Sequence, residues 1–277
     1  MLELTDINVR FGGAHVLRDV SVAVAGGQIH GLIGPNGSGK TTLLNAISGF
    51  VPCTGTITLD GGRLNRLAAH RRTNKGLGRT FQNPKAPEDM TVADLLRLGE
   101  HGVKTLPWHT VAFRPWKAAQ EQRQFNERCE HMLTSLGLDP GLLERELGTI
   151  ASGDLKMIDI ARALMARPRL LALDEPTSGM NDEEIDILLA RLERLRESGL
   201  TVLIVEHNVR VVTDICDRVT VLSLGAILAE GPPGEIMRRS DVIDAYLGEE
   251  DDGEPPATPE MPPAETGHDT PDSAFRA

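Results

Sequence analysis

Apolar side chains alternate with polar ones along the first 60 residues, as in Leu2, Leu4, Ile7 and Val9, and such a period of two belongs to strands with one covered face. Strands are predicted over Leu2 to Val9, Val20 to Val24, Gln28 to Ile33 and Thr54 to Leu59, separated by Gly12-Gly13, Gly26-Gly27 and Asp60-Gly61-Gly62. A helix over Lys40 to Ser48, ending at Gly49, interrupts them. From about Met90 the period lengthens. Thr91 and Asp94 have the spacing of a capping box, and Phe125, Cys129, Met132, Leu133 and Leu136 share one helical face, with Asp139-Pro140-Gly141 expected to close that helix.

After Gly153, helix and apolar strand alternate. A helix to about Ala166 precedes a buried strand Leu170 to Leu173, a helix carrying Ile185, Leu188, Leu189, Leu192 and Leu195, and a strand Val202 to Val205. Alternation of this kind predicts an α/β fold whose parallel sheet has both faces covered. A helical insert then sits between two segments of one sheet domain. Residues 1–85 and 153–248 are expected to form that domain with its antiparallel β part, and 86–152 the helical subdomain. Beyond Gly248 the chain is acidic and Pro-rich, so 249–277 are expected to be a disordered tail. No internal repeat is visible.

Charge changes the picture little once its placement is considered. The formal charge is −11, but nine of the 40 acids and one base, Arg276, lie beyond Gly248, leaving 28 bases against 31 acids in the body. That near-neutral body offers no clustered basic face for nucleic acid, so an anionic ligand has to be held by local geometry. Aromatics are only 3%, which suits an aliphatic core. Cys53, Cys129 and Cys216 are odd in number and in no C-x-x-C pair, giving neither a disulfide framework nor a metal knuckle. The start has no basic and apolar leader pattern, and no stretch approaches the ~18 apolar residues of a membrane span. The chain is therefore expected to be soluble and cytosolic, meeting a membrane only through a partner.

Gly34-Pro35-Asn36-Gly37-Ser38-Gly39-Lys40-Thr41 matches G-x-x-x-x-G-K-[ST] and lies between a predicted strand and a predicted helix, where a phosphate-binding P-loop belongs. Curled backbone N–H groups and the helix N-terminus cradle the phosphates, Lys40 neutralises the β/γ oxygens, and the Thr41 hydroxyl, next to Thr42, can ligate Mg²⁺. Asp174 and Glu175 end an aliphatic strand, whose alternation sends adjacent side chains in different directions. Asp174 is assigned to the metal and Glu175 to the attacking water. His207 follows its strand as Glu175 follows its own, at the edge where parallel sheets bind ligands. Gln82 sits where the sheet hands over to the helical insert, and its amide could reach Mg²⁺. The remaining histidines are read as structural or solvated.

Taken in order, these segments resemble the ATP-binding subunits of ABC transporters, over nearly all of residues 2–248. The resemblance implies a P-loop NTPase fold, a RecA-like, mostly parallel sheet with an N-terminal antiparallel β part and an inserted helical subdomain. It also implies ATP hydrolysis with Mg²⁺. Ile150-Ala151-Ser152-Gly153-Asp154 falls at the signature segment, Ser178 to Asn181 at the D-loop, and Phe11 at the adenine-stacking aromatic, although Phe11 could equally be a core residue. In the family each ATP is pinned between one P-loop and a partner's signature helix, here Ser152 and Gly153, and closure of the pair drives membrane permease subunits. Here Ala151 replaces the usual signature serine, Ser152 comes one place late and Asp154 replaces the last glutamine, so a weaker grip on the partner's ATP is expected.

Arg79-Thr80-Phe81-Gln82, the insert with Trp108 and Trp116, Glu206 to Val209 and the ending Val242 to Glu249 further resemble the ATPases of branched-chain amino acid importers. That likeness implies a homodimer or a paralogous ATPase partner, a substrate-binding protein acting indirectly, and a place on the cytoplasmic face of the plasma (inner) membrane. ATPases of urea importers and lipopolysaccharide exporters share this style of ending and stay open as alternatives. A soluble ABC ATPase of translation or DNA repair would normally carry two cassettes or a long coiled coil. A P-loop kinase or GTPase would lack the signature segment and His207.

Overall fold

The computed structural model describes residues 1–81, 86–100 and 115–247. Gln82, Trp108 and the expected tail 249–277 lie outside the described residues. The polypeptide builds two sheets. β1 (Leu2–Phe11), β2 (Ala14–Val24), β4 (Thr54–Leu59) and β5 (Gly62–Arg63) form an antiparallel sheet in the order β2-β1-β4-β5. β3 (Ile29–Ile33), β6 (Leu77–Arg79), β7 (Leu170–Asp174), β8 (Thr201–Val205), β9 (Arg218–Ser223) and β10 (Ala226–Gly231) form the second, in the order β10-β9-β3-β8-β7-β6. Every pairing in it is parallel except β10 with β9.

β1 and β2 run longer than alternation suggests because Asp6 and Asp19 both adopt left-handed backbone (φ 50°), and the pairing register shifts around Asp6. Each such irregularity breaks the period of two that a sequence reading follows. β6, β9 and β10 were not anticipated. β6 has three residues, too few to show a period. β9 and β10 form a hairpin whose turn, Leu224-Gly225, has φ of 47° and 80°. Two positive values match a type I′ turn, which normally calls for Asn-Gly; Leu in its first central position conceals it.

The helices are α1 (Lys40–Ser48), α2 (Ala69–Thr73), α3 (Val92–Glu100), α4 (Pro115–Ser135), α5 (Ser152–Met165), α6 (Asp182–Glu197), α7 (Val209–Ile215), α8 (Pro233–Ile236) and α9 (Ser240–Leu247). α3 starts as the Thr91/Asp94 spacing suggests, with the Asp94 amide donating to Thr91 Oγ1 at 3.1 Å. The Asp94 carboxylate accepts from the Thr91 hydroxyl (2.7 Å) rather than closing the reciprocal half of the box. α4 ends before Asp139-Pro140-Gly141: Gly137, at φ 67°, terminates it, and Asp139 instead caps a following 3-10 turn, Pro140–Glu144. Gly supplies that left-handed conformation with no Cβ penalty.

Strand alternation divides the core in two. Leu171, Leu173, Val202 and Ile204 face a cluster containing Val92, Leu95, Leu96, Phe125, Cys129, Leu133, Met157, Ile158, Ile185 and Leu188. Leu170, Ala172, Leu203 and Val205 face the other way, onto α1 and the antiparallel sheet through Leu43, Leu44, Ile47, Ile57 and Leu4. No helix among the described residues is long and apolar enough to cross a membrane.

Candidate nucleotide-binding site

Parallel pairing brings the strand ends to one edge. Leu32 of β3 is opposite Val205 of β8 and Thr220 of β9, and Val205 is in turn opposite Asp174 of β7. Residues following each strand therefore emerge side by side: Gly34 after β3, Glu175 after β7, His207 after β8.

The loop Gly34 to Gly39 is shaped by three glycines at φ 145°, 69° and 104°. A Cβ on Gly34 would stand 2.0 Å from the Leu222 carbonyl oxygen of β9, and one on Gly39 2.7 Å from Leu17 Cδ2 of β2. The loop is thus wedged between both sheets. The β9–β10 turn braces it: Gly225 N donates to Ser38 O at 3.1 Å, and Gly225 O accepts from Arg18 N at 2.8 Å. Lys40, buried, donates through Nζ to Gly34 O and Pro35 O, each at 2.7 Å. α1 has Gly39 at its N-cap and no side-chain cap. A helix start without a side-chain cap suits an anion. Ser38 Oγ is buried with no hydrogen-bond partner among the described residues. An orphaned hydroxyl, an uncapped helix start and a buried ammonium suit a polyphosphate.

The other end of α1 is closed. Gly49 terminates it at φ 83°, and the buried Arg72 donates from Nη1 to Ala46 O (2.6 Å) and Ile47 O (2.7 Å). A cation on the final carbonyls offsets the negative end of the helix dipole. Arg72 carried no pattern along the chain that would have marked it.

Asp174 lies on the α1 face of the sheet, as alternation requires, and is buried. Burial pushes its carboxyl upward in pKa; Arg79, with Nη2 3.2 Å from Oδ2, and Lys40 oppose that, while Glu175 adds to it. Glu175 takes left-handed backbone (φ 46°) with its amide on Val205 O at 3.0 Å, which turns its side chain away from the strand's own alternation. Oε1 of Glu175 is 3.9 Å from Nδ1 of His207. Glu206, the residue before His207, is fully buried and accepts from Thr177 N (3.0 Å), Thr177 Oγ1 (2.6 Å) and His207 N (3.2 Å). In the sequence Glu206 is marked only within the Glu206 to Val209 resemblance and without a role, because its partner Thr177 is distant in sequence.

Ser152 and Gly153 open α5, whose N-cap is Ala151 and which has no side-chain cap. Ser152 is exposed, and a Cβ on Gly153 would meet Glu184 Oε1 of α6 at 2.7 Å. Within the chain, Ser152, Lys156, Asp174 and Glu175 line a cavity of about 420 Å³ with Thr80 and Phe81. Lys156 Nζ also donates to the carbonyl of Ser178, joining α5 to the turn before α6. Phe11, at the tip of the β1–β2 hairpin, is 51% exposed. It is not a core residue.

Comparison with known proteins follows the same lines. Residues 17–178 match the ABC transporter family, and residues 226–252 match the branched-chain amino acid ATP-binding cassette transporter family. The chain is 38% identical to the high-affinity branched-chain amino acid transport ATP-binding protein BraF of Pseudomonas aeruginosa, over 90% of this chain and 98% of that one. It is 34% identical to the lipopolysaccharide export system ATP-binding protein LptB of Escherichia coli, over 87% and 94% of the two chains. Among solved structures, the ADP conformation of MJ1267, an ATP-binding cassette of an ABC transporter, superposes with a TM-score of 0.78 at 30% identity, covering 90% and 98%. The chain belongs to the ABC transporter family, as one of its ATPase subunits.

Proposed function

We propose that this ATPase drives import of branched-chain amino acids, and that it does so as one of two subunits that close on ATP. The observation that carries the catalytic part is the convergence of Gly34 to Thr42, Asp174, Glu175 and His207 at one sheet edge, with Glu175 and His207 3.9 Å apart. The match of residues 226–252 and the likeness to BraF support the substrate class.

In this reading the amides of Gly34, Pro35, Asn36, Gly37, Ser38 and Gly39, with those opening α1, bind the phosphates, and Lys40 exchanges its two carbonyl partners for phosphate oxygens. Phe11 supplies an exposed ring for the adenine. Thr41, Asp174 and Gln82 would hold Mg²⁺, and Thr42 follows Thr41 in α1. When bound, Mg²⁺ supplies positive charge to the phosphate oxygens. Glu175 accepts a hydrogen bond from the attacking water and orients it, while His207 donates to the terminal phosphate. Ser152 and Gly153 of the second subunit, a copy of this chain or a paralogue, complete the site from across the pair. ATP then binds the closed pair better than the open one, and that difference in affinity does the work on the permease subunits. A substrate-binding protein acts only through those permeases, nucleic acid has no part, and the subunit sits at the cytoplasmic face of the inner membrane.

The experiment is uptake of radiolabelled leucine by cells carrying this gene and its neighbouring permease genes, with affinity purification of the chain from their membranes. The reading expects integral membrane proteins to co-purify and uptake to be lost in Glu175→Gln. Likeness to LptB supports an exporter as the alternative. Uptake indifferent to Glu175→Gln, with membrane proteins still co-purifying, would favour it.

A further inference from the structure

Beside the carboxylates stands a cation that the reading above does not use. Arg79 ends β6, opposite Ala172 of β7, and its Nη2 donates to Asp174 Oδ2 at 3.2 Å, with the two side chains only 8% and 6% exposed. Nη1 donates to the carbonyl of Leu44 in α1 at 3.2 Å, and Nε is buried with no hydrogen-bond partner among the described residues. The guanidinium lies 5.5 Å from the ring centre of Phe50 and 5.3 Å from that of Phe81, within cation–π range of both. Its backbone is held from α5: Arg162 Nη2 donates to Arg79 O at 2.8 Å, and Asp159, paired with Arg162 at 2.7 Å, accepts from Phe81 N at 3.0 Å.

A buried Arg–carboxylate pair kept only for stability gains most from a two-point fork with every donor satisfied. Arg79 meets Asp174 through one nitrogen and leaves Nε unsatisfied. Two aromatic rings and a carbonyl share the guanidinium with the carboxylate. A positive charge fixed at this point opposes a dication approaching the same carboxylate, and the low exposure of both groups limits screening.

We propose that Arg79 is a positioning residue: it holds Asp174 as counter-charge before the metal arrives and sets the metal affinity of the site by competing for that carboxylate. The proposal rests on the Mg²⁺-nucleotide reading above. Because the α5 side chains grip Arg79 and Phe81, the competition is also mechanically tied to the helix that begins at the signature segment.

The test is titration of the full-length chain with Mn²⁺ in the presence of ADP, with bound Mn²⁺ read by electron paramagnetic resonance and ADP affinity measured separately in EDTA. Even with the screening of bulk water, a unit charge a few ångströms from a dication changes affinity by roughly tenfold or more. Arg79→Met and Arg79→Gln are therefore expected to bind Mn²⁺ about tenfold more tightly than the parent, with ADP affinity in EDTA unchanged. Arg79→Lys, which keeps the charge, should stay within about twofold of the parent. The Gln variant, still able to hydrogen-bond Leu44 O, carries the same expectation should the Met variant not fold. Equal or weaker Mn²⁺ binding in the folded neutral variant overturns the proposal, because a merely structural arginine predicts that result. Parent protein that adds nothing to Mn²⁺ binding by ADP alone overturns the Mg²⁺-nucleotide reading itself, and the parent measurement separates the two failures.

Discussion

His207 Nδ1 stands 3.9 Å from Glu175 Oε1, across the gap between the ends of β8 and β7. Neither side chain reaches that position by strand alternation alone. Glu175 is turned by its left-handed backbone (φ 46°), and His207 is steadied through its amide by the buried Glu206, which also holds Thr177. A non-glycine residue in this conformation costs about 1–3 kcal/mol and persists where its surroundings over-determine it. Here the Val205 carbonyl and the Thr177–Glu206 contacts are those surroundings.

Lys40, at the proposed phosphate loop, is buried and donates to two carbonyls at 2.7 Å. Lys40→Ala removes charge-assisted hydrogen bonds to the phosphates, and ATP affinity should fall by about two orders of magnitude. Isothermal titration calorimetry checks this, and an unaltered dissociation constant would remove Lys40 from the site.

Ala151 caps α5 without a side-chain acceptor for the first amides of that helix. Ala151→Ser supplies the missing oxygen and should raise unfolding stability by about 1 kcal/mol, read as a higher urea midpoint at unchanged slope. If the usual signature hydroxyl also contacts the partner's nucleotide, the same change in a Glu175→Gln background should lower the ATP concentration needed for pairing. A urea midpoint at or below that of the parent would contradict the capping argument.

His30 is fully buried in β3, with Nε2 2.8 Å from Thr220 Oγ1 and Gln28 Nε2 donating to Nδ1 at 3.2 Å. An amide nitrogen can only donate, so Nδ1 is the acceptor and Nε2 carries the proton. Burial, assisted by Arg218, lowers its pKa to about 4 from an ordinary 6.5. Between those values the unfolded chain binds the proton and the folded chain does not, so this group's contribution to stability declines as pH falls from 6.5 toward 4. The full effect is about 3 kcal/mol. His30→Gln should flatten the dependence of the urea midpoint on pH in that window, and an unchanged slope would show that other groups cause it.

Much of the architecture was legible because it rests on periods that survive in sequence. α1 was bounded by Lys40 and Gly49, and β7 and β8 were plain as aliphatic runs buried on both faces. The helical face was marked by Phe125, Cys129, Met132, Leu133 and Leu136, of which all but the half-buried Met132 are buried, Leu136 just past the end of α4. Features set by long-range partners were not legible. Asp6 and Asp19 interrupt alternation through backbone conformation, β6 exists only because β7 pairs with it, and the Leu224-Gly225 turn is stabilised by the phosphate loop it braces. In the candidate site, residues whose chemistry repeats at fixed spacing stood out, from Gly34 to Thr41. Arg72 did not, and Arg79 and Glu206 were marked only through the resemblance and without a role, since what distinguishes each is a buried contact with a residue distant in sequence.

The central claim is that one chain's phosphate loop and a second subunit's α5 tip hold a single ATP between them. Static light scattering of Glu175→Gln with saturating Mg²⁺-ATP tests it most directly, because loss of the base slows hydrolysis by about 10²–10⁴-fold and preserves the bound state. A doubling of mass with ATP, reversed by ADP and abolished by Gly153→Asp, is the predicted result. A mass that stays at that of one chain at every ATP concentration, while calorimetry shows the nucleotide bound, would contradict the claim.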